Sequence, residues 1–208
     1  MKDDISEKKT PSRHTFEREG IQGLCEAIAD EDPRVRTMAG ILLERTDKTY
    51  LVEHLIRALR AGDKAERERV SRGLALAGKV AVAPLLELLD DDSWVMRYRA
   101  AEALGRIRDT RAVLPLIARL TDEKDHVRYM AAKALCRFAD GHAEGALIVL
   151  LEDPNVYVRR MAARALSGIA SDSACRALAS ALSREIDPDV STAINDAYEK
   201  ACSARKLL

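Results

Sequence analysis

Residues 122–153 read DEKDHVRYMAAKALCRFADGHAEGALIVLLED, two apolar-periodic stretches parted by a short polar turn. In the first stretch Val127, Met130, Ala131, Ala134, Leu135 and Phe138 recur at the spacing of one helix face, which predicts a helix (A) from about Asp125 to Phe138. The step Ala139-Asp140-Gly141-His142 breaks that rhythm, and Gly141 is expected to supply the left-handed residue that ends the helix. A second helix (B) is expected from Ala143 to Glu152, burying Leu147, Ile148 and Leu151. Neither helix can hide its apolar stripe alone, so the pair requires neighbours stacked on both sides.

Those neighbours are present in the sequence. Leu147 belongs to a column formed by Leu24, Leu55, Leu85, Leu116 and Leu178, with successive spacings of 31, 30, 31, 31 and 31 residues. A second column contains Ile28, Leu59, Leu89, Leu120, Leu151 and Leu182. Helix A recurs as VRTMAGILL at 35–43, MRYRAAEAL at 96–104 and VRRMAARAL at 158–166. Ala39, Ala100, Ala131 and Ala162 share one position, where a short side chain lets adjacent helices approach closely. Val70 occupies that place in the second repeat, whose loop at Gly78-Lys79 is one residue shorter, so its packing is expected to be irregular. Asp32-Pro33, Asp153-Pro154 and Asp187-Pro188 read as acidic caps before a proline in the first helical turn.

An extra B-type helix from Glu17 to Ala29 opens the array, and an A-type helix from about Asp189 to Ser203 closes it. The expected fold is all-α: a right-handed α-solenoid of stacked antiparallel helix pairs, about 31 residues each and about eleven helices. It occupies 16–208 as one domain, and residues 1–15 read as a flexible tail.

Composition narrows the function classes. Aromatic residues are 4% of the chain against 47% hydrophobic, so the core is aliphatic. Basic and acidic residues number 34 each; residues 1–90 hold 16 and 17, and residues 91–208 hold 18 and 17. Nucleic-acid binding draws on concentrated positive charge, so this balance argues against it. The four cysteines, Cys25, Cys136, Cys175 and Cys202, form no C-x-x-C pair and carry no histidine at ligand spacing, which speaks against disulfide and zinc readings. No apolar run reaches the length of a membrane span, and the polar start MKDDISEKKTPSRH is unlike a signal peptide, so a reduced cytoplasmic protein is expected.

Asp122 to Leu135, with the pattern D-x4-V-R-x-x-A-A-x-A-L, and Ala112-Val113-Leu114-Pro115-Leu116 resemble the HEAT-like repeat named for phycobilisome lyases. The resemblance covers roughly 17–203. It implies an α-solenoid, and a family whose members include scaffolds, pigment lyases, an iron hydroxylase and DNA-repair proteins. Function must therefore be read from sites.

Several constellations are candidates. Arg36, Arg67, Arg97, Arg128 and Arg159 recur in the first turn of helix A beside acidic turns. Their fork geometry suits a structural bridge between a carboxylate and free helix-end carbonyls of the preceding repeat. His14, His54, His126 and His142 form no His-Glu dipeptide of the kind an iron hydroxylase of this family would use, so no metal and no cofactor is expected. A lyase would need a nucleophile, for which Cys136 and Cys175 are the candidates, yet neither has a base near it in sequence. Arg97-Tyr98-Arg99, Arg128-Tyr129 and Tyr157-Val158-Arg159-Arg160 could grip nucleic acid by stacking and phosphate contact, or stand as ordinary solvated faces.

The B helices point elsewhere. Positions two before, two after and five after the leucine column should face the groove of the solenoid. At the array's ends these are polar, whereas in the middle Leu114, Ala118, Gly145 and Val149 are apolar and small, rimmed by Glu87, Arg119 and Glu152. An apolar centre with a charged rim is the anatomy of a protein-binding surface. The alternative is that curvature closes the groove over these residues. The expected function is a non-enzymatic scaffold holding a protein partner on its concave B surface, with a lyase-like enzyme or accessory and a nucleic-acid binder as the other readings.

Overall fold

The computed structural model describes residues 23–24, 26–28, 30, 32–43 and 48–205; the expected tail at 1–15 lies outside them. Residues 23–24 and 26–28 are helical. Eleven α-helices follow: α1 Pro33–Leu43, α2 Lys48–Ala61, α3 Lys64–Ala77, α4 Val82–Leu88, α5 Trp94–Ile107, α6 Val113–Ala118, α7 Asp125–Leu135, α8 Glu144–Val149, α9 Val156–Ile169, α10 Asp172–Leu182 and α11 Pro188–Arg205. Odd-numbered helices are of A type and even-numbered ones of B type. From α3 onward each A helix packs on the A helices of adjacent repeats and on the B helix of the preceding repeat, which makes the chain an α-solenoid.

Helices α6 and α8 are short because their ends tighten. The 3₁₀ turns Thr110–Ala112 and Gly141–Ala143 lead into them, and Arg119–Thr121 and Leu150–Glu152 follow. Asp109 and Asp140 fix the leading turns by accepting the amides of Arg111 at 3.0 Å and His142 at 2.9 Å. Pro84 and Pro115 sit in the first turns of α4 and α6, where no intrahelical amide bond is lost.

Two local expectations need correction. The left-handed residue after α7 is Ala139 (φ 50°), and Gly141 instead starts the 3₁₀ turn. The same place is taken by Arg108 (φ 61°) and Ala170 (φ 53°), with a glycine, Gly78 (φ 71°), only after α3. The repeat imposes this conformation on residues that do not favour it. Pro154 is the second correction, since it precedes α9 by two positions and Asn155 is the cap, accepting the Tyr157 amide at 2.9 Å. Pro33 and Pro188 do open their helices.

The core joins the two apolar columns of the B helices to A-helix residues such as Leu74, Leu104, Leu135 and Leu166. Leu24, Leu55, Leu85, Leu116, Leu147 and Leu178 are all buried, as are Ile28, Leu59, Leu89, Leu120 and Leu151; Leu182 is half-buried. Each fully buried leucine contributes roughly 1.5–3 kcal/mol relative to exposure. The alanine column Ala39, Ala100, Ala131 and Ala162 is buried too. The closest approach lies elsewhere, at Gly105. A Cβ there would stand 2.7 Å from the Cβ of Ala134 and 2.8 Å from its Cα, so backbone would have to move. Gly105→Ala should lower stability by about 1–3 kcal/mol in denaturant unfolding, because α5 and α7 cannot separate without opening the core. An unchanged midpoint would show that the two helices have slack at this crossing.

The arginine column locks successive repeats. Arg97 donates Nε to Asp122 Oδ2 at 2.7 Å and Nη2 to Asp122 Oδ1 at 2.9 Å, while Nη1 donates to the carbonyls of Asp91 and Asp92. Arg128 repeats this with Asp153 at 2.7 and 3.0 Å and the carbonyls of Asp122 and Glu123. Arg159 does so with Glu185, 2.8 Å on both oxygens, and with the carbonyls of Asp153 and Pro154. The carbonyls lie in the turn before each A helix, as expected. The carboxylate, expected in that same turn, comes from the following one. Asp122 and Asp153 thus each receive one arginine on the carboxylate and the next on the carbonyl.

Departures are local. Arg36 meets the Asp30 carbonyl at 2.8 Å, and Arg67 donates Nε to the Leu59 carbonyl at 3.1 Å, while Asp91 is taken by Arg60 at 2.7 Å. Burial pushes the Asp122 carboxyl up, but hydrogen bonds from Arg97 and the Lys124 amide outweigh it and hold it below its ordinary value. Arg159 likewise holds Glu185 low. Both carboxyls are depressed in the fold, so their stabilisation is complete above the ordinary carboxylate range and is lost as pH falls from that range through their lower folded values.

Arg128→Ala strands Asp153, whose side chain is 5% exposed, and should cost about 2–4 kcal/mol. Arg67→Ala removes a single neutral acceptor's bond and should cost less than about 1 kcal/mol. Equal losses in chemical denaturation would mean the interlock contributes nothing beyond side-chain packing.

Candidate interaction faces

On the B helices, the positions expected to face outward are exposed along the array. Glu53, Arg57 and Arg60 on α2, Ala83 and Glu87 on α4, and Arg176 and Ser180 on α10 all face solvent. Of the central residues, Leu114 is 67% and Val149 69% exposed, with Ala118 and Gly145 exposed beside them in register. Curvature does not close over them. Of the rim, Glu87 and Glu152 are exposed and Arg119 is half-buried. Arg119 Nη1 donates to the Leu89 carbonyl at 3.0 Å and Nη2 meets Asp90 at 3.2 Å, while Glu152 accepts from Arg184 at 3.0 Å. Two of the three rim charges therefore also stitch neighbouring repeats together.

An acidic cleft of about 430 Å³ adjoins this patch, lined by Asp90, Asp91, Ala118, Arg119, Asp122 and Glu123. Asp91 and Asp122 are largely neutralised by Arg60 and Arg97, and Arg97 also meets Glu123, itself 71% exposed, at 3.4 Å. Its acids come from two turns a repeat apart, so no local motif announces it; the only sequence signal is that Asp91 and Asp122 share the repeat's spacing.

The A helices carry a different face. Trp94 packs against His126 with the rings tilted by 47° and their centroids 5.3 Å apart, and Tyr98, Tyr129 and Tyr157 line a cleft of about 220 Å³ with His126, Asp125 and Asn155. Lys133 lies over the Tyr129 ring at 5.6 Å. Beneath, between α3 and α5, Arg99 pairs with Glu102 at 2.7 Å, and Glu102 also takes Ser71 at 3.1 Å and Arg106 at 3.3 Å. Burial pushes the Glu102 carboxyl up, but Arg99 outweighs it and the group is held below its ordinary value. A carboxylate so held is a structural anion, ill-suited to donating a proton at neutral pH.

Cys136 Sγ lies 3.8 Å from the Arg164 carbonyl, and Cys175 is buried. Distant in sequence, Cys175 and Cys202 nevertheless stand 3.5 Å apart, sulfur to sulfur. They are 27 residues apart on α10 and α11, and the antiparallel packing of these two helices brings them together where a local-spacing rule sees nothing. Neither is in a disulfide. Oxidised glutathione should therefore join them, each of the two exchange steps releasing one reduced glutathione, and peptide mapping should recover the linked fragments. Mixed disulfides that never resolve into the protein disulfide would show that the helices do not bring the sulfurs together.

His126 and His142 each turn Nδ1 to a neighbouring carboxylate, Asp125 and Asp140, at 2.7 Å. Among the described residues no three His, Cys, Asp or Glu side chains are grouped to hold a metal, and no helix is long and apolar enough to cross a membrane.

The family model of HEAT repeats matches residues 52–127 and 113–199. No curated protein matches the chain in sequence. Among solved structures, the complex of CpcE and CpcF of phycocyanin lyase from Nostoc sp. is similar at 25% identity and TM-score 0.66, covering 70% of this chain and 96% of that one. A designed armadillo repeat protein in complex with the peptide (KR)4 is similar at 17% identity and TM-score 0.52, covering 87% and 99%. The archaeal HEAT-like repeats protein from Thermococcus onnurineus is similar at 15% identity and TM-score 0.50, covering 89% and 88%.

Proposed function

Because the chain belongs to the HEAT-repeat family, in which an extended solenoid surface is the fold's main offering, we propose that it is a non-enzymatic scaffold gripping a segment of a partner protein along the concave side formed by its B helices. The observation that carries this reading is the exposure of Leu114 and Val149, at 67% and 69%, on adjacent B helices with small residues between them. Large aliphatics left in water at the middle of an otherwise polar row are explained by a partner that covers them. Covering both contributes about 1.5–3 kcal/mol each. Glu87, Arg119 and Glu152 then set the partner's register from the rim. This reading assigns no cofactor, metal or nucleic acid, and it places the protein in the cytoplasm, where its cysteines stay reduced.

A second reading, a lyase or lyase accessory, is favoured by the likeness to the phycocyanin lyase subunits. Against it, the Cys136 sulfur meets a backbone carbonyl and the Cys175 sulfur meets that of Cys202. A visible-light adduct formed with phycocyanobilin would favour this second reading over the first.

Val149→Glu separates a binding patch from core. Since the side chain is mostly exposed, the unfolding temperature should stay within a degree or two of the parent, while recovery of the native partner from host extract should fall at least about tenfold, as a buried unpaired charge would dictate. Undiminished recovery would remove Val149 and its neighbours from the interface.

A further inference from the structure

The A helices carry a second surface whose chemistry is unlike that of the B face. On α9, Arg160 and Arg164 are one turn apart and both exposed, and Lys200 of α11 faces them across a cleft of about 460 Å³. Tyr129 of α7 and Tyr157 and Met161 of α9 form the apolar part of its lining. Arg97, Arg128 and Arg159, one residue from the tyrosines or from Arg160, are fully engaged in the repeat interlock. Arg160, Arg164 and Lys200 have no side-chain partner among the described residues. The cleft's one anionic side chain, Asp196, does not offset three cations.

Unspent cations grouped around aromatic and thioether surface in a chain of zero net charge need an anionic ligand. The cleft is the size of one or two side chains rather than of a strand. Asp196 and, in the adjoining cleft, Asp125 would repel a continuous polyphosphate. A carboxylate presented singly can meet Arg160 and Arg164 in the planar, two-pronged geometry that guanidinium groups favour.

We propose that the outer face of α7, α9 and α11 docks an acidic peptide segment of a partner protein: an apolar or aromatic anchor packs on Tyr129, Tyr157 and Met161, with glutamate or aspartate on either side reaching Arg160, Arg164 and Lys200. This site is separate from the B-face patch and does not depend on that patch being occupied.

The test uses the full chain and fluorescein-labelled Glu-Glu-Leu-Phe-Glu-Glu, with Lys-Lys-Leu-Phe-Lys-Lys and oligothymidylate as comparison probes, followed by fluorescence anisotropy. The acidic peptide should bind, the basic one should not, and affinity should weaken as salt rises. Arg160→Glu/Arg164→Glu, a change confined to exposed side chains, should keep the parent's circular dichroism and unfolding temperature and lose affinity at least about tenfold. Tyr157→Ala should weaken binding without altering its salt dependence, and Val149→Glu on the other face should leave it unchanged. No acidic-peptide binding, or equal binding by the charge-reversed variant, overturns the proposal. Tighter capture of oligothymidylate than of the peptide overturns it in favour of a nucleic-acid surface.

Discussion

The arginine that opens each central A helix is the interaction on which the array depends. A stacked helix pair leaves carbonyls free in the turn between repeats, and these turns lie against the next repeat rather than in open water. One guanidinium satisfies two such carbonyls and, with its other nitrogens, grips a carboxylate in the following turn. That is more than a lysine's point charge could do, because the fork fixes direction as well as distance. Because Asp122 and Asp153 each serve two arginines, the unit of stability is the chain of turns rather than any one pair.

Fixing the stack at one edge frees the rest. The interlock and the close A–A contacts at Gly105 and the alanine column set how one repeat sits on the next. The B helices then need only one buried stripe, and three of them shrink to six or seven residues, two of these ending in 3₁₀ turns at both ends. Their remaining positions are released from packing duty. An exposed Leu114 or Val149 therefore does not damage the fold, and the places left to sequence choice are the places where binding can be written.

Periodicity made the fold legible. A leucine column at near-constant spacing admits one arrangement, and the burial of its members follows from that arrangement. The exposed B positions were legible by the same argument, since helical phase relative to a buried residue determines which side chains face water. What escaped the sequence depended on contacts between repeats. The acid that meets Arg128 lies 25 residues downstream, in a turn that helical phase does not position. Cys175 and Cys202 meet through antiparallel packing, with no motif to flag them. Ala139, in place of Gly141, takes the left-handed conformation because the repeat's geometry overrides residue preference when neighbouring packing fixes the turn.

A net charge of zero conceals how the charge is distributed. Most cations of the A-helix starts are consumed internally by the interlock, so counting residues says little about the surface field. What remains is unevenly placed: Arg160, Arg164 and Lys200 stand without a side-chain partner among the described residues on the A side, whereas Glu123 beside the B patch is met by Arg97 at 3.4 Å. The two faces thus differ in chemistry, one cationic and aromatic, the other apolar with a rim of both signs. In a solenoid this sorting requires no extra structure, because alternating helices already present their exposed residues on opposite sides of one core.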